Sequence, residues 1–102
     1  MSLVTNPGSV SVATPDYPTI EFDASPILQA GEAIASASVR MQTSDFARQV
    51  NLPDAPTFTG TTVSQPIKGA ILTPGTLYRV IWTITLNNGQ ILSQQTSCQV
   101  PF

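Results

Sequence analysis

Residues 72–100 read LTPGTLYRVIWTITLNNGQILSQQTSCQV. Tyr78, Val80, Trp82, Ile84 and Leu86 occupy every second position, so a strand places all five on one face. Asn88-Gly89 follows at once. That pair suits a two-residue hairpin, because both central residues must accept positive φ. A returning strand from Gln90 to Val100 sets Leu92, Thr96, Cys98 and Val100 on one face. The stretch predicts an all-β domain and carries no chemistry of its own.

Around that hairpin the chain has 102 residues, enough for one domain with a modest core. Hydrophobic residues make up 41%. Charged residues make up 10%, against roughly 25% in an average soluble domain. Thr, Ser, Gln and Asn supply the polarity instead. So few charges give little electrostatic protection against association. This fits a protein packed against neighbours, and equally a small secreted or surface domain rich in Ser and Thr.

The net charge is −2, and the four bases, Arg40, Arg48, Lys68 and Arg79, are scattered. Nucleic acid needs a clustered basic footprint, so none is expected as a partner, and the same scatter argues against an anionic membrane. No run of about 18 apolar residues is present to span a bilayer. The opening MSLVTNPGSV lacks the basic and apolar regions of a secretory signal. Cys98 is the single cysteine, so no internal disulfide forms. On a strand face with Val100 and Leu92 it reads as a small buried hydrophobe rather than a reactive thiol.

Residues 1–18 contain turn signals at Pro7-Gly8 and Pro15-Asp16. Between them Val10 and Val12 alternate with serine. The segment reads either as an arm, residues 1–16, reaching a neighbouring subunit, or as a first strand along its own domain. About 15 extended residues reach roughly 50 Å. Thr19–Asp23 alternates as an edge-type strand, with Ile20 and Phe22 inward and Glu21 and Asp23 on a wet side. Ser25-Pro26 ends it, Ile27 and Leu28 plug the core, and Ala30-Gly31-Glu32 turns the chain. In residues 33–42 the set Ala35, Ala37, Val39 and Met41 alternates, with Ile34, Ser36 and Ser38 opposite. A strand is preferred there, while propensity alone also permits a helix over residues 25–37. Residues 43–61 space Phe46, Val50, Leu52 and Phe58 irregularly, and Pro53 and Pro56 forbid a central strand. One or two short strands in long loops are expected, and residues 52–60 form a candidate contact surface or a cover for the open end of the fold. Pro66 and Gly69 break the strand that begins at Thr62.

The run Leu72-x-Pro74-Gly75-Thr76-x-Tyr78-x-Val80 resembles the turn and strand at the tyrosine corner of fibronectin type III and related immunoglobulin-like domains. In that corner a Tyr hydroxyl bonds backbone a few residues upstream, the role the resemblance implies for Tyr78. It implies an immunoglobulin-like (fibronectin III-like) antiparallel β-sandwich over residues 17–102, with the N-terminal arm before it. The longer order runs from Phe22-Asp23 through Leu28-x-x-Gly31-Glu32-x-Ile34 and Pro74-Gly75-Thr76-x-Tyr78 to a hairpin closing on Gly89. It resembles small virion proteins of tailed phages, of the fiber–tail adaptor or head and tail accessory type. The likeness implies a non-enzymatic structural protein, either an adaptor for fiber attachment at the tail or neck or a decoration protein of the capsid, made in the host cytoplasm and carried in the virion. Its partners would be tail, neck, fiber or capsid proteins and further copies of itself.

Catalytic constellations are missing at the level of composition. With no histidine, the Ser-His-Asp and Cys-His arrangements have no base. One cysteine makes no zinc or iron–sulfur site. Asp16, Glu21 and Asp23 are near in sequence, yet strand residues share a face rather than wrap a calcium ion. No phosphate-cradling loop is present. No enzyme activity, cofactor or metal is therefore expected. The contact residues to test are Val10, Val12, Tyr17, Phe58 and Phe102. The alternative is a free carbohydrate- or cell-surface-binding module, for which the uncommitted aromatics would line the site.

Overall fold

Alternation and turn residues cut the chain into short strands joined by tight connections. The computed structural model describes residues 2–5, 9–45 and 47–101. Among them nine strands follow in order: β1 (Ser2–Thr5), β2 (Ser9–Ser11), β3 (Thr19–Asp23), β4 (Ile34–Thr43), β5 (Gln49–Val50), β6 (Thr57–Thr59), β7 (Thr62–Pro66), β8 (Leu77–Leu86) and β9 (Ile91–Gln99). Single turns of 3-10 helix occupy Ser25–Ile27 and Gly69–Ile71. A four-stranded sheet has the order β1-β3-β7-β6, and a five-stranded sheet the order β2-β9-β8-β4-β5. The pairs β1–β3 and β2–β9 are parallel, and the others are antiparallel.

One core lies between the sheets. Tyr78, Val80, Trp82, Ile84 and Leu86 of β8 are all buried, as their alternation requires. They face Ile20 and Phe22 of β3 and Val63 of β7 within a single cluster. The rings of Phe22 and Trp82 stack across the sheets, with centroids 5.6 Å apart and 26° between planes. Such a pair contributes about 0.5–1.5 kcal/mol beyond the area it buries. The Trp82 indole N–H is satisfied inside the core, donating to Thr96 Oγ1 at 2.8 Å.

Three local expectations change. The hairpin after β8 holds three residues rather than two. Leu86 N–H donates to Gln90 C=O, and Gly89 N–H donates to Leu86 C=O. Gly89, at φ 85°, makes the left-handed step that closes such a loop. In β4 a register shift lies between Ile34 and Ser36. The extra residue, Ala35, is pushed outward, and Ile34 turns onto the core face opposite Leu86. Finally, β3 is not an edge, because β1 and β7 flank it.

The boundary drawn at residue 16 has no counterpart in the packing of residues 9–16. Ser9–Ser11 pairs with Ser97–Gln99, Val12 is fully buried, and Val12 N–H donates to Gln99 C=O at 3.0 Å. Gly69 N–H then donates to Asp16 C=O at 2.8 Å. A side chain at Gly69 has no room: an added Cβ would stand 2.2 Å from Ala13 O and 2.7 Å from Asp16 O. The turn expected at Pro7-Gly8 lies outside the described residues, as does Phe46.

Candidate interaction surfaces

Tyr17 leaves the turn at residues 14–15 and stands half exposed. Its hydroxyl donates to Asp54 Oδ2, and that bond is the main cause raising the Tyr17 pKa above its ordinary value. From the other side Gln65, buried on β7, donates through Nε2 to Asp54 O and Pro66 O, both at 2.9 Å. Residues 51–56 are thus fastened at Asp54 both to the N-terminal segment and to a central strand. The packing therefore brings Tyr17 to the 52–60 segment, which also carries Phe58 on β6, 40% exposed and at a sheet edge. It does not bring Val10 and Val12 there. Val10 packs against the core beside Cys98, and Val12 has no exposure, so Val12 is withdrawn as a contact residue. Phe102 lies outside the described residues.

Tyr78 sits at the opposite end of the β7–β8 connection. Its Oη accepts the Thr73 N–H at 2.9 Å, five residues upstream, while its ring is buried. Above it opens a cleft of about 360 Å³, lined by Arg48, Gln49, Val50, Ile71, Thr73 and Tyr78 among others. Asp45 borders the adjoining depression. Its carboxylate accepts the Thr43 hydroxyl at 2.6 Å and the Ala47 N–H at 3.0 Å, and these bonds hold its pKa below the ordinary carboxylate value. The carboxylate is engaged in shaping the turn. The cleft offers one cation, Arg48, together with hydroxyls and an apolar wall. Cys98 is buried on β9, between Val10 of β2 and Tyr78 of β8, and burial pushes its thiol up to about 11.

The outer faces of the two sheets differ in charge. Outward positions of the five-stranded sheet carry Arg40 and Arg79 amid Ser, Thr and Gln, with no acid among the described residues. Ile81 lies between these arginines, opposite Arg40, and is only 6% exposed although it points away from the core. Outward positions of the four-stranded sheet carry Glu21 and Asp23 amid Thr and Ser, with no base among the described residues. Asp23 accepts Ser25 N–H, Ser25 Oγ–H and Thr61 Oγ–H, which lower its pKa and keep it charged. Leu77, Ile81 and Ile91 on the polar face escaped the sequence reading. The signal was there: they are apolar members of the alternation set opposite the core.

Among the described residues no three acids, cysteines or histidines converge as a metal site, and no helix is long and apolar enough to cross a membrane. A family model described as podophage GP4 fiber-tail adaptor protein gp77 matches residues 13–99, from the turn before Tyr17 to the end of β9. No curated protein matches the chain.

Proposed function

This chain belongs to the podophage fiber–tail adaptor family, and from that membership we propose that it joins fibers to the tail as a non-enzymatic structural protein of the virion. The observation that carries the reading is the extent of the match, which takes in seven of the strands, β3 to β9. The family description names fiber and tail together, which favours attachment at the tail over decoration of the capsid. The protein is made in the host cytoplasm and assembles with tail and fiber proteins in several copies.

The fold reading within this proposal is an immunoglobulin-like sandwich. It is supported by strand order, because β1-β3-β7-β6 and β9-β8-β4-β5 correspond to A-B-E-D and G-F-C-C′ of that architecture. The parallel β1–β3 pair departs from its antiparallel pattern. The Tyr78–Thr73 bond supports the tyrosine-corner role of Tyr78. Tyr17 and Phe58, on neighbouring exposed segments, are the side chains proposed to meet a tail or fiber protein.

The test is a phage with a stop codon early in this reading frame, viewed by negative-stain electron microscopy. Heads and tails without fibers are expected, and fibers should return with the intact chain supplied in trans. Fully fibered particles from the mutant would overturn the proposal. Tyr17→Ala with Phe58→Ala, supplied in the same way, should restore fibers poorly if those rings make the contact.

A further inference from the structure

The inner face of the five-stranded sheet is left uncovered at one corner. Thr43 of β4 stands opposite Tyr78 of β8, and Val50 of β5 pairs with Met41, which shares a face with Thr43 two positions on. Tyr78 and Met41 are buried, so this is the core side of the sheet. Thr43, Val50 and Tyr78 nevertheless line the cleft of about 360 Å³, and the connection after β7 supplies its other wall through Ile71 and Thr73. No residue of the four-stranded sheet lines it among the described residues. The adjoining depression of about 250 Å³ shares Thr43, Arg48, Thr73 and Tyr78, so the two form one trough.

The chemistry of the trough is one-sided. Arg48 is exposed, and its guanidinium makes no hydrogen bond among the described residues. The acid beside it, Asp45, has its carboxylate held by the Thr43 hydroxyl and the Ala47 N–H. Tyr78 Oη accepts the Thr73 N–H, which leaves the phenol proton without an acceptor among the described residues. Gln49 and Asn51 add amides, and β5 is the last strand of its sheet, so its outer backbone edge is open. Ile71, 42% exposed, and half-buried Val50 give aliphatic surface. The one ring in the lining among the described residues, Tyr78, is buried, so no open ring face is offered for stacking on a sugar.

We propose that this trough holds an extended segment of a partner protein that carries a carboxylate beside an apolar side chain. Charge complementarity selects the occupant: the trough offers an unbonded cation and a spare phenol proton, and its one acid is already engaged. Arg48 takes the carboxylate through the paired N–H donors of its planar fork. Tyr78 donates its O–H to the same group, and the apolar neighbour covers Ile71 and Val50. The backbone of the segment runs along the open edge of β5, where main-chain bonds give affinity and the side chains give specificity. This deepens the adaptor reading and rests on it in one respect, the origin of the segment in a tail or fiber protein.

The test is a titration of the ¹⁵N-labelled full chain, followed by NMR, with three probes: acetyl-Leu-Glu-Leu-amide, its Leu-Gln-Leu counterpart, and sodium glucuronate. The acidic peptide should give saturable shifts of the amides of Arg48, Gln49, Val50, Asn51 and Thr73 at millimolar concentration. The neutral peptide should bind roughly fivefold more weakly, because charge-assisted bonds are about twice as strong as neutral ones. Arg48→Gln should bind the two peptides equally, and a thermal midpoint near the wild-type value checks that this exposed change leaves the fold intact. Unshifted trough amides at millimolar acidic peptide, equal binding of the two peptides to the wild type, or an undiminished preference in Arg48→Gln would each overturn the proposal. Glucuronate should bind more weakly than the acidic peptide; tighter binding would make the trough a site for acidic sugars and overturn the peptide assignment. The titration needs no virion, so its failure leaves fiber loss in the stop-codon phage unaffected, and the two readings fall separately.

Discussion

At the scale of single residues, buried polar groups are the sensitive points. Thr96 has no exposure and accepts the indole N–H of Trp82. Thr96→Val keeps the shape and strands that donor, which costs about 1–3 kcal/mol. A lower urea midpoint, read by Trp82 fluorescence, is expected, and an unchanged midpoint would show that the bond contributes nothing. Cys98 couples stability to alkaline pH. Its thiol rises from the ordinary 9.0 to about 11 because burial disfavours the thiolate. Between those values the unfolded chain has released the proton while the folded chain keeps it. The unfolded state binds fewer protons, so stability falls as pH rises, by about 2–3 kcal/mol across the interval. Cys98→Ala should remove this part of the slope in denaturation measured from pH 8 to 11. The same burial predicts that a thiol reagent at pH 8 labels Cys98 only after unfolding.

At the scale of elements, the N-terminal segment is part of the fold. Val12 fills the core, and residues 13–16 lie against Gly69. Removing residues 1–16 should therefore lower the thermal midpoint far more than removing residues 1–8, and equal midpoints would refute this role. Gly69→Ala should act like the longer deletion, since its methyl meets backbone oxygen that no side-chain rotation clears, and overpacking costs about 1–3 kcal/mol. The elements legible in the sequence were those with an uninterrupted period of two. β3 begins and ends where its alternation does, and β8 buries the five predicted residues. The β4 bulge was not legible, because Ala35 and Ile34 are both apolar and only the partner Leu86 decides which turns inward. The fastening of residues 51–56 was hidden for a related reason. Gln65 and Tyr17 lie far from Asp54 in sequence, and no local pattern links them. For the contact residues, alternation identified exposed Tyr17 and Phe58 only as aromatics without a core position. It misplaced Val12, since whether a short terminal strand is covered depends on the sheet it joins.

At the scale of the whole molecule, most strand pairs join distant parts of the chain. β4 pairs with β8, β3 with β7, and β2 with β9, nearly the full length away. Loop-closure entropy precedes the reward from such contacts, so folding in milliseconds to seconds is expected. Stopped-flow refolding followed by Trp82, the single tryptophan, measures it. A microsecond phase carrying the full amplitude would contradict the expectation. The parallel pair β2–β9 also decides how the domain bears a pull. The two strands run the same way, so a load drawn outward at Ser9 and at Gln99 slides one along the other. Their hydrogen bonds, evenly spaced in a parallel ladder, then share the force together instead of opening one by one. A domain pulled at those two points is loaded in shear at the strand pair that closes its larger sheet.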